Sequence, residues 1–278
     1  MEDFIKVLIV IINGILKIIR SVYMLLKRIV KLINQTAYRK LYDQGVVNNR
    51  EKKIFIFGLP HAGKSTALAA FVKFMTECKE FTFRRDPVTN KYGVKIIRKW
   101  VQDYKKGTFP LQTPKDEYTR INIEYEYPGA LKPNKLIVYE IAGEDVIKFD
   151  PTHDDHHTIP PELSNFLLGA KAIIIFASSI PERSDEPEVV QDFIEYILRK
   201  KITKPICFIL TKYDLIENQY QSPVQASKAI YKGATDLLFR YENSTVQFFS
   251  VGEVKDNEIV NDKSHSCSLE LFNWIKST

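Results

Sequence analysis

Two patterns of apolar and polar residues divide the chain. Residues 4–33 contain no proline and one glycine, and apolar side chains cover most of the circumference of a helix drawn through them. Polar and basic side chains form a stripe within about 60° of Lys6 on that helix, namely Asn13, Lys17, Arg20, Lys27, Arg28 and Lys31. Residues 1–40 are therefore predicted to be a long apolar helix with a cationic stripe, followed by a linker at 41–50.

Short apolar runs alternate with helical stretches over residues 51–278, which is typical of βαβ units in a mostly parallel sheet. Strands are predicted at Ile54–Phe57, Thr119–Tyr127, Leu136–Glu140, Ala172–Ala177, Ile206–Leu210 and Val246–Ser250. Helices are predicted at Lys64–Cys78, Val94–Lys105, Pro187–Lys201, Ser222–Tyr241 and Leu269–Lys276. A turn-rich stretch at 128–134 predicts that the second and third strands are antiparallel. The fold class is α/β with one antiparallel edge pair and an insertion at 79–117.

Charge changes this picture in one respect. The chain has 40 Lys and Arg against 34 Asp and Glu, but the first forty residues hold eight basic and two acidic side chains, so the rest of the chain is neutral in total. Nucleic acid is not expected as a partner, because it needs a basic surface on the folded body. The dispersed cysteines, Cys78, Cys207 and Cys267, argue against a disulfide framework or a thiolate metal site.

The stretch Gly58–Ser65 matches the phosphate-binding pattern G-x-x-x-x-G-K-[ST] and lies between a predicted strand and a predicted helix. Its glycines let backbone N–H groups surround phosphate oxygens, with the helix N-terminus behind them. Nucleotide contacts are predicted for Gly58, His61, Ala62, Gly63, Lys64, Ser65 and Thr66. Within this set Lys64 would reach the β- and γ-phosphates, and Ser65 would ligate Mg²⁺.

Two further motifs follow later strands. Thr211-Lys212-Tyr213-Asp214 directly follows one apolar strand, and Phe249-Ser250-Val251-Gly252 follows the next. With the phosphate loop, this order resembles a Ras-like P-loop GTPase of the translation-factor-related class. A Pro-x-x-Thr-Pro segment at 110–114, with Gly143-Glu144 after the third strand, is most similar to the prokaryotic double-GTPase-type families. The resemblance implies a three-layer GTPase domain that binds GTP or GDP with Mg²⁺ as cofactor. It also implies that Asp214 reads the guanine edge and Lys212 covers the base. The resemblance extends the nucleotide contacts to Thr211, Ser250 and Val251.

The third motif departs from the family's D-x-x-G pattern. Glu140 stands where an aspartate usually holds a Mg²⁺-bound water, and Gly143 stands where an N–H meets the γ-phosphate. Glu144 takes the place of the water-orienting glutamine, and because a triphosphate repels a carboxylate, slow hydrolysis is expected. The resemblance also implies a first-switch threonine near the start of the second strand, for which Thr113 is the first choice and Thr108 and Thr119 are alternatives. The predicted catalytic residues are thus Lys64, Thr113, Gly143 and Glu144, and the predicted metal ligands are Ser65, Thr113 and Glu140.

Two functional hypotheses fit these motifs. In the first, the chain is a switch that hydrolyses GTP and is read by an effector protein. In the second, it is an assembly subunit that holds GTP without turnover, like the β subunit of the signal-recognition-particle receptor. A P-loop ATPase is a further alternative, because the phosphate loop alone does not separate ATP from GTP.

The N-terminal helix adds a question of location. Residues 4–33 could lie on an anionic membrane, span it, or pack on a partner or a second copy of the chain. The longest charge-free run, Val7–Leu16, is shorter than the roughly 20 residues of a typical span. We expect the chain at the cytoplasmic face of a membrane. His153, His156 and His157 lie close together and could form either a metal-binding patch or a solvated loop.

Overall fold

A seven-stranded sheet is the centre of the fold in the computed structural model, which describes residues 51–79, 82–84, 94–110, 118–126, 134–141, 161–255 and 258–278. The strands of the sheet are β1 (Glu51–Phe57), β2 (Thr82–Arg84), β3 (Tyr118–Glu126), β4 (Asn134–Ile141), β5 (Ala172–Ser178), β6 (Ile206–Thr211) and β7 (Ser244–Phe249). A separate hairpin is formed by β8 (Gly252–Lys255) and β9 (Glu258–Asp262). The helices are α1 (Lys64–Glu77), α2 (Val94–Lys105), α3 (Pro161–Gly169), α4 (Glu186–Arg199), α5 (Pro223–Ile230), α6 (Lys232–Phe239) and α7 (Ser264–Ser277).

The sheet is mostly parallel with an antiparallel edge, as predicted. Its spatial order is β2-β3-β4-β1-β5-β6-β7. Parallel pairing joins β4, β1, β5, β6 and β7, and β3 runs antiparallel to β4, which confirms the predicted antiparallel pair. The short strand β2, which the sequence pattern did not predict, extends this edge by pairing antiparallel with β3.

Helices cover both faces of the sheet, and this produces three layers. Every residue of β5 and β6 is buried, as expected for parallel strands packed on two sides. Alternate side chains of β1 enter different cores: Ile54 and Ile56 pack with residues of α1, α2 and α7, whereas Phe55 and Phe57 pack with residues of α3, α4, α5 and α6. The carboxyl ends of the parallel strands therefore lie side by side, and the predicted motifs follow these ends.

One prediction is wrong: the segment Ser222–Tyr241 is two helices, α5 and α6, separated at Tyr231. The Tyr231 side chain is fully buried, and its hydroxyl donates to the Ser178 carbonyl at 2.8 Å and lies 2.7 Å from Glu186 Oε1. Glu186 is also buried and accepts a 3.0 Å hydrogen bond from the Ser178 N–H. Burial raises the pKa of Tyr231, so the hydroxyl keeps its proton. Hydrogen bonds among Tyr231, Ser178 and Glu186, at the end of β5, therefore occur where the predicted helix is interrupted.

Other boundaries differ by smaller amounts. The inserted helix Val94–Lys105 has the predicted bounds, whereas α7 begins at Ser264 instead of Leu269. The Asp262 carboxylate explains the earlier start, because it accepts hydrogen bonds from the Ser264 N–H at 2.9 Å and from Ser264 Oγ at 2.6 Å. The helix α3 and the β8–β9 hairpin were not predicted.

The N-terminal predictions fall outside the described residues. They concern the apolar helix over residues 1–40 and the linker at 41–50, so the proposed domain boundaries stay predictions. Among the helices that the structure does describe, none has the length and apolar character needed to cross a bilayer.

Candidate functional site

The phosphate loop connects the buried strand β1 to α1, as the motif requires. Gly63, directly before α1, adopts a left-handed conformation with φ 74°. A Cβ at Gly63 would lie 3.1 Å from Thr211 Oγ1, and a Cβ at Gly58 would lie 2.6 Å from the carbonyl oxygen of Phe176. Both glycines are therefore needed, because the loop passes close to the ends of the neighbouring strands.

Lys64 lies folded over this loop. Its ammonium donates to the carbonyl oxygens of Gly58 and Leu59, at 2.9 Å each, and the residue is 7% exposed. The first hydrogen bond of α1 runs from the Ala67 N–H to the Gly63 carbonyl at 2.9 Å. A fixed positive charge therefore stands beside the helix N-terminus, and such an arrangement favours an anionic ligand.

Thr211 joins the phosphate loop to the end of β6. Its Oγ1 lies 2.9 Å from the carbonyl oxygen of Ala62 and 3.2 Å from that of Ala177, so one hydroxyl proton serves two acceptors. The side chain is 3% exposed. The sequence predicted Thr211 as a nucleotide contact, and the structure also gives it a positioning role for the loop.

Asp214 and Ser250 come from different strand ends and meet in space. Ser250 Oγ donates to Asp214 Oδ1 at 3.0 Å, and the same oxygen accepts from the Gly252 N–H at 3.1 Å. The Asp214 carboxylate is thus oriented by a hydroxyl that is itself held by the backbone. The sequence predicted both residues for the base end of the site, and the structure brings them together.

Glu182 is a residue of this region that the sequence motifs did not indicate. It lies in the loop between β5 and α4, accepts a 3.0 Å hydrogen bond from Lys212 Nζ, and has its other oxygen 3.9 Å from His61 Nδ1. The hydrogen bond from Lys212 and the nearby positive charge hold the pKa of the Glu182 carboxyl below its usual range. His61 and Lys212 both have positive φ angles, 61° and 54°. The Glu182 carboxylate therefore lies between the phosphate loop, through His61, and the Thr211–Asp214 motif, through Lys212.

A cavity of about 440 Å³, which is within the size range of small-molecule sites, is lined by some of these groups but not by Lys64, Glu182 or Ser250. Six of the twelve predicted nucleotide contacts line it, namely Gly63, Thr66, Thr211, Lys212, Asp214 and Val251. The sequence did not assign the remaining lining residues, which are mainly apolar: Ala67, Phe109, Leu215, Phe249 and Val254. A cavity with an apolar wall, a carboxylate and a phosphate-type loop can hold a planar base joined to phosphates.

The predicted metal and switch residues are described only in part. Ser65 is the second residue of α1, which follows β1, and the backbone of Glu140 in β4 pairs with Ile56 near the carboxyl end of β1. Thr113, Gly143 and Glu144 lie outside the described residues. Among the side chains that are described, no group of three or more His, Cys, Asp or Glu residues could hold a metal ion. The histidines at 153, 156 and 157 are outside that set.

The chain is similar to solved structures but not to curated proteins or family models. No protein-family model matches the chain, and no curated protein matches it. A solved structure, Methanosarcina barkeri Roco2 RocCORdC bound to GDP, aligns with a TM-score of 0.42 and 12% identity over 82% of this chain. The aligned region is half the length of that protein. At this similarity the match does not bear on function. The strand order and the loop between β1 and α1 are consistent with a P-loop GTPase fold.

Replacing Thr211 with valine should weaken the attachment of the phosphate loop. The change keeps the shape of the side chain but leaves the Ala62 carbonyl without this donor, so the free energy of unfolding should fall by about 1–3 kcal/mol. Urea denaturation measures this. Thr245→Val, at a half-buried position on β7, is the control and should stay within about 0.5 kcal/mol of the wild type. Equal stability of the two variants would contradict the role given to Thr211.

Proposed function

We propose that this chain is a guanine-nucleotide-binding switch that binds GTP or GDP with Mg²⁺ and hydrolyses GTP slowly. The observation that carries the proposal is the cavity in which Asp214, oriented by Ser250, lies with Gly63 and Thr66 of the phosphate-loop region. A phosphate-binding loop alone fits many nucleotides, whereas a fixed carboxylate at the far end selects a base with adjacent N–H donors.

Guanine presents such an edge. Its N1–H and 2-amino groups can both donate to one carboxylate, and hydrogen bonds to a charged acceptor are stronger than neutral ones. Adenine lacks this pair of donors and offers an unprotonated N1, which a carboxylate repels. The aliphatic part of Lys212, which also lines the cavity, can cover the base while its ammonium stays with Glu182. This supports GTP over ATP, and the P-loop ATPase remains the less favoured alternative.

The phosphates would be bound at the opposite end by backbone and one lysine. Backbone N–H groups of such a loop and of the first turn of a helix bind anions, and Lys64 already lies over the loop. Thr66, the third residue of α1, lines the cavity and is suited to contact the phosphate nearest the sugar. Binding therefore needs a small rearrangement of the Lys64 ammonium from carbonyl oxygens to phosphate oxygens.

The donor set suits Mg²⁺, which prefers oxygen ligands. Ser65, in the helix after β1, and Glu140, on the strand that pairs with β1, would hold the ion with Thr113, and the ion would supply charge neutralisation between the outer phosphates. The catalytic assignments of Gly143 and Glu144 are part of the same proposal. Because Glu144 replaces a glutamine with a carboxylate that a triphosphate repels, slow turnover is proposed, with partner proteins reading the bound nucleotide.

The rival proposal is a subunit that holds GTP without hydrolysis and assembles with a partner. It is favoured by the same two carboxylates, Glu140 and Glu144, and by an apolar N-terminal segment suited to attachment. For location, we propose the cytoplasmic face of a membrane, reached through residues 4–33, whose apolar arc needs cover from lipid, from a partner or from a second copy of the chain.

Asp214→Asn should change which nucleotide the chain prefers. The amide presents a donor to the guanine N1–H, so the affinity for GDP should fall by about 100-fold or more, whereas xanthosine diphosphate, which has a carbonyl at that edge, should bind the variant better. Titration calorimetry on the full chain measures both. Asp236→Asn, an exposed aspartate on α6, is the matched control. Unchanged GDP affinity in D214N, or stronger binding of ATP than of GTP by the wild type, would contradict guanine recognition.

Single-turnover hydrolysis separates the switch from the assembly subunit. The full chain, loaded with GTP and Mg²⁺, should release phosphate slowly but faster than a Lys64→Ala variant, which lacks the charge that meets the β- and γ-phosphates. Phosphate release indistinguishable from that of K64A, with GTP still bound, would favour the subunit without turnover.

Flotation with lipid vesicles tests the proposed location. The full chain should float with vesicles that contain anionic lipid, because eight basic side chains lie in its first forty residues. Replacing the six basic residues of the stripe with glutamine should weaken both flotation and its dependence on salt. These residues are Lys6, Lys17, Arg20, Lys27, Arg28 and Lys31. Absence of the wild-type chain from the vesicle fraction would contradict membrane attachment.

A further inference from the structure

The β8–β9 hairpin lies in the chain between the Phe249–Gly252 motif and α7. The sequence motifs did not predict it. Gly252 begins it with φ 94°, and a Cβ there would lie 2.0 Å from the carbonyl oxygen of Asn261 on the other strand. The Lys263 N–H donates to the Val251 carbonyl at 3.2 Å and closes the base of the hairpin. The turn into the hairpin therefore requires glycine and is held from both ends.

The first strand of the hairpin is connected to the carboxylate proposed to read the base. The Gly252 N–H donates to Ser250 Oγ, and Ser250 Oγ donates to Asp214 Oδ1. Two residues further along β8, Val254 lines the cavity. The hairpin thus contributes to the site twice, through the orientation of Asp214 and through a side chain in the wall.

The second strand connects to the segment after α2. The Ile259 N–H donates to the Gly107 carbonyl at 2.8 Å. Gly107 has φ 77°, and a Cβ at this position would lie 3.0 Å from the Ile259 carbonyl oxygen, which is a tight contact. Ile259 is the cross-strand partner of Val254 and packs against the core. Two residues after Gly107, Phe109 lines the same cavity as Val254. Val254 and Phe109 therefore meet the cavity from two segments that are hydrogen-bonded to each other.

Asp262 fixes the end of the hairpin against the helices. Its carboxylate accepts from Lys73 Nζ of α1 at 2.9 Å and from the Tyr104 hydroxyl of α2 at 3.3 Å, in addition to Ser264. Burial opposes the charge, but the hydrogen bonds from Ser264 and Lys73 hold the pKa of Asp262 below its usual range. The hairpin is thus attached to the helix that opens with Lys64.

We propose that the β8–β9 hairpin is the outer wall of the base pocket and controls how fast the bound nucleotide leaves. The inference rests on the proposed function, since the ligand is a guanine nucleotide. Val254 would contact the apolar face of the base or sugar, and Phe109 would complete the wall. Nucleotide release then breaks these apolar contacts, so the hairpin lengthens the lifetime of the complex.

Val254→Ser removes the apolar contact while leaving the hairpin backbone unchanged. The dissociation rate of a fluorescent GDP analogue from the full chain should rise about threefold to tenfold, because the lost apolar burial acts mainly on dissociation. Val260→Ser is the matched control. Val260 lies on the same hairpin, is 55% exposed against 41% for Val254, and is outside the lining of the cavity. Its dissociation rate should match that of the wild type.

A second measurement needs no variant. Hydrogen exchange of the wild-type chain should slow over residues 252–255 and 258–262 when GDP is added, whereas residues 264–277 of α7 serve as the internal reference. Equal GDP dissociation from V254S and V260S, or no GDP-dependent protection of the hairpin, would overturn the inference while leaving nucleotide binding intact. If the wild type binds neither GDP nor GTP, the proposed function itself fails.

Discussion

The hydrogen bond between Thr211 and the Ala62 carbonyl is the contact on which the candidate site depends. It joins the loop after β1 to the end of β6, although 149 residues separate the two in sequence. The loop is held near the strand that leads into Lys212 and Asp214, so residues of the proposed phosphate-binding and base-binding motifs line one cavity. The parallel sheet brings the two motifs to the same ends of its strands, and this hydrogen bond joins them directly.

The burial of the sheet on both faces makes that contact possible. β1 lies between β4 and β5, and its side chains enter both cores, so its carboxyl end has little freedom to move. The glycines at 58 and 63 allow the loop to approach the carbonyl of Phe176 and the side chain of Thr211. Rigid strands with close loops at their carboxyl ends are the common arrangement for ligand sites in α/β sheets.

Much of this arrangement could be predicted because the signals are local. A buried parallel strand is a short apolar run, and a phosphate loop is a contiguous pattern of eight residues. The break at Tyr231 had no such signal, since it accompanies hydrogen bonds to Ser178 and Glu186, each more than forty residues away in the chain. The hairpin was missed for a similar reason, because β8 and β9 are short, mostly exposed, and held by Gly107 and Asp262 contacts to distant helices.

The sequence by itself determined the α/β class and the order of the central elements, and it indicated the loop pattern Gly58–Ser65 and the motifs at 211–214 and 249–252. These properties follow from periodicity and from side-chain chemistry within short windows. Tertiary structure decided that Ser250 orients Asp214, that Glu182 links Lys212 to His61, and that Val254 and Phe109 share a cavity wall. Such contacts join residues far apart in the chain, and only the packing of the sheet and its loops specifies their distances.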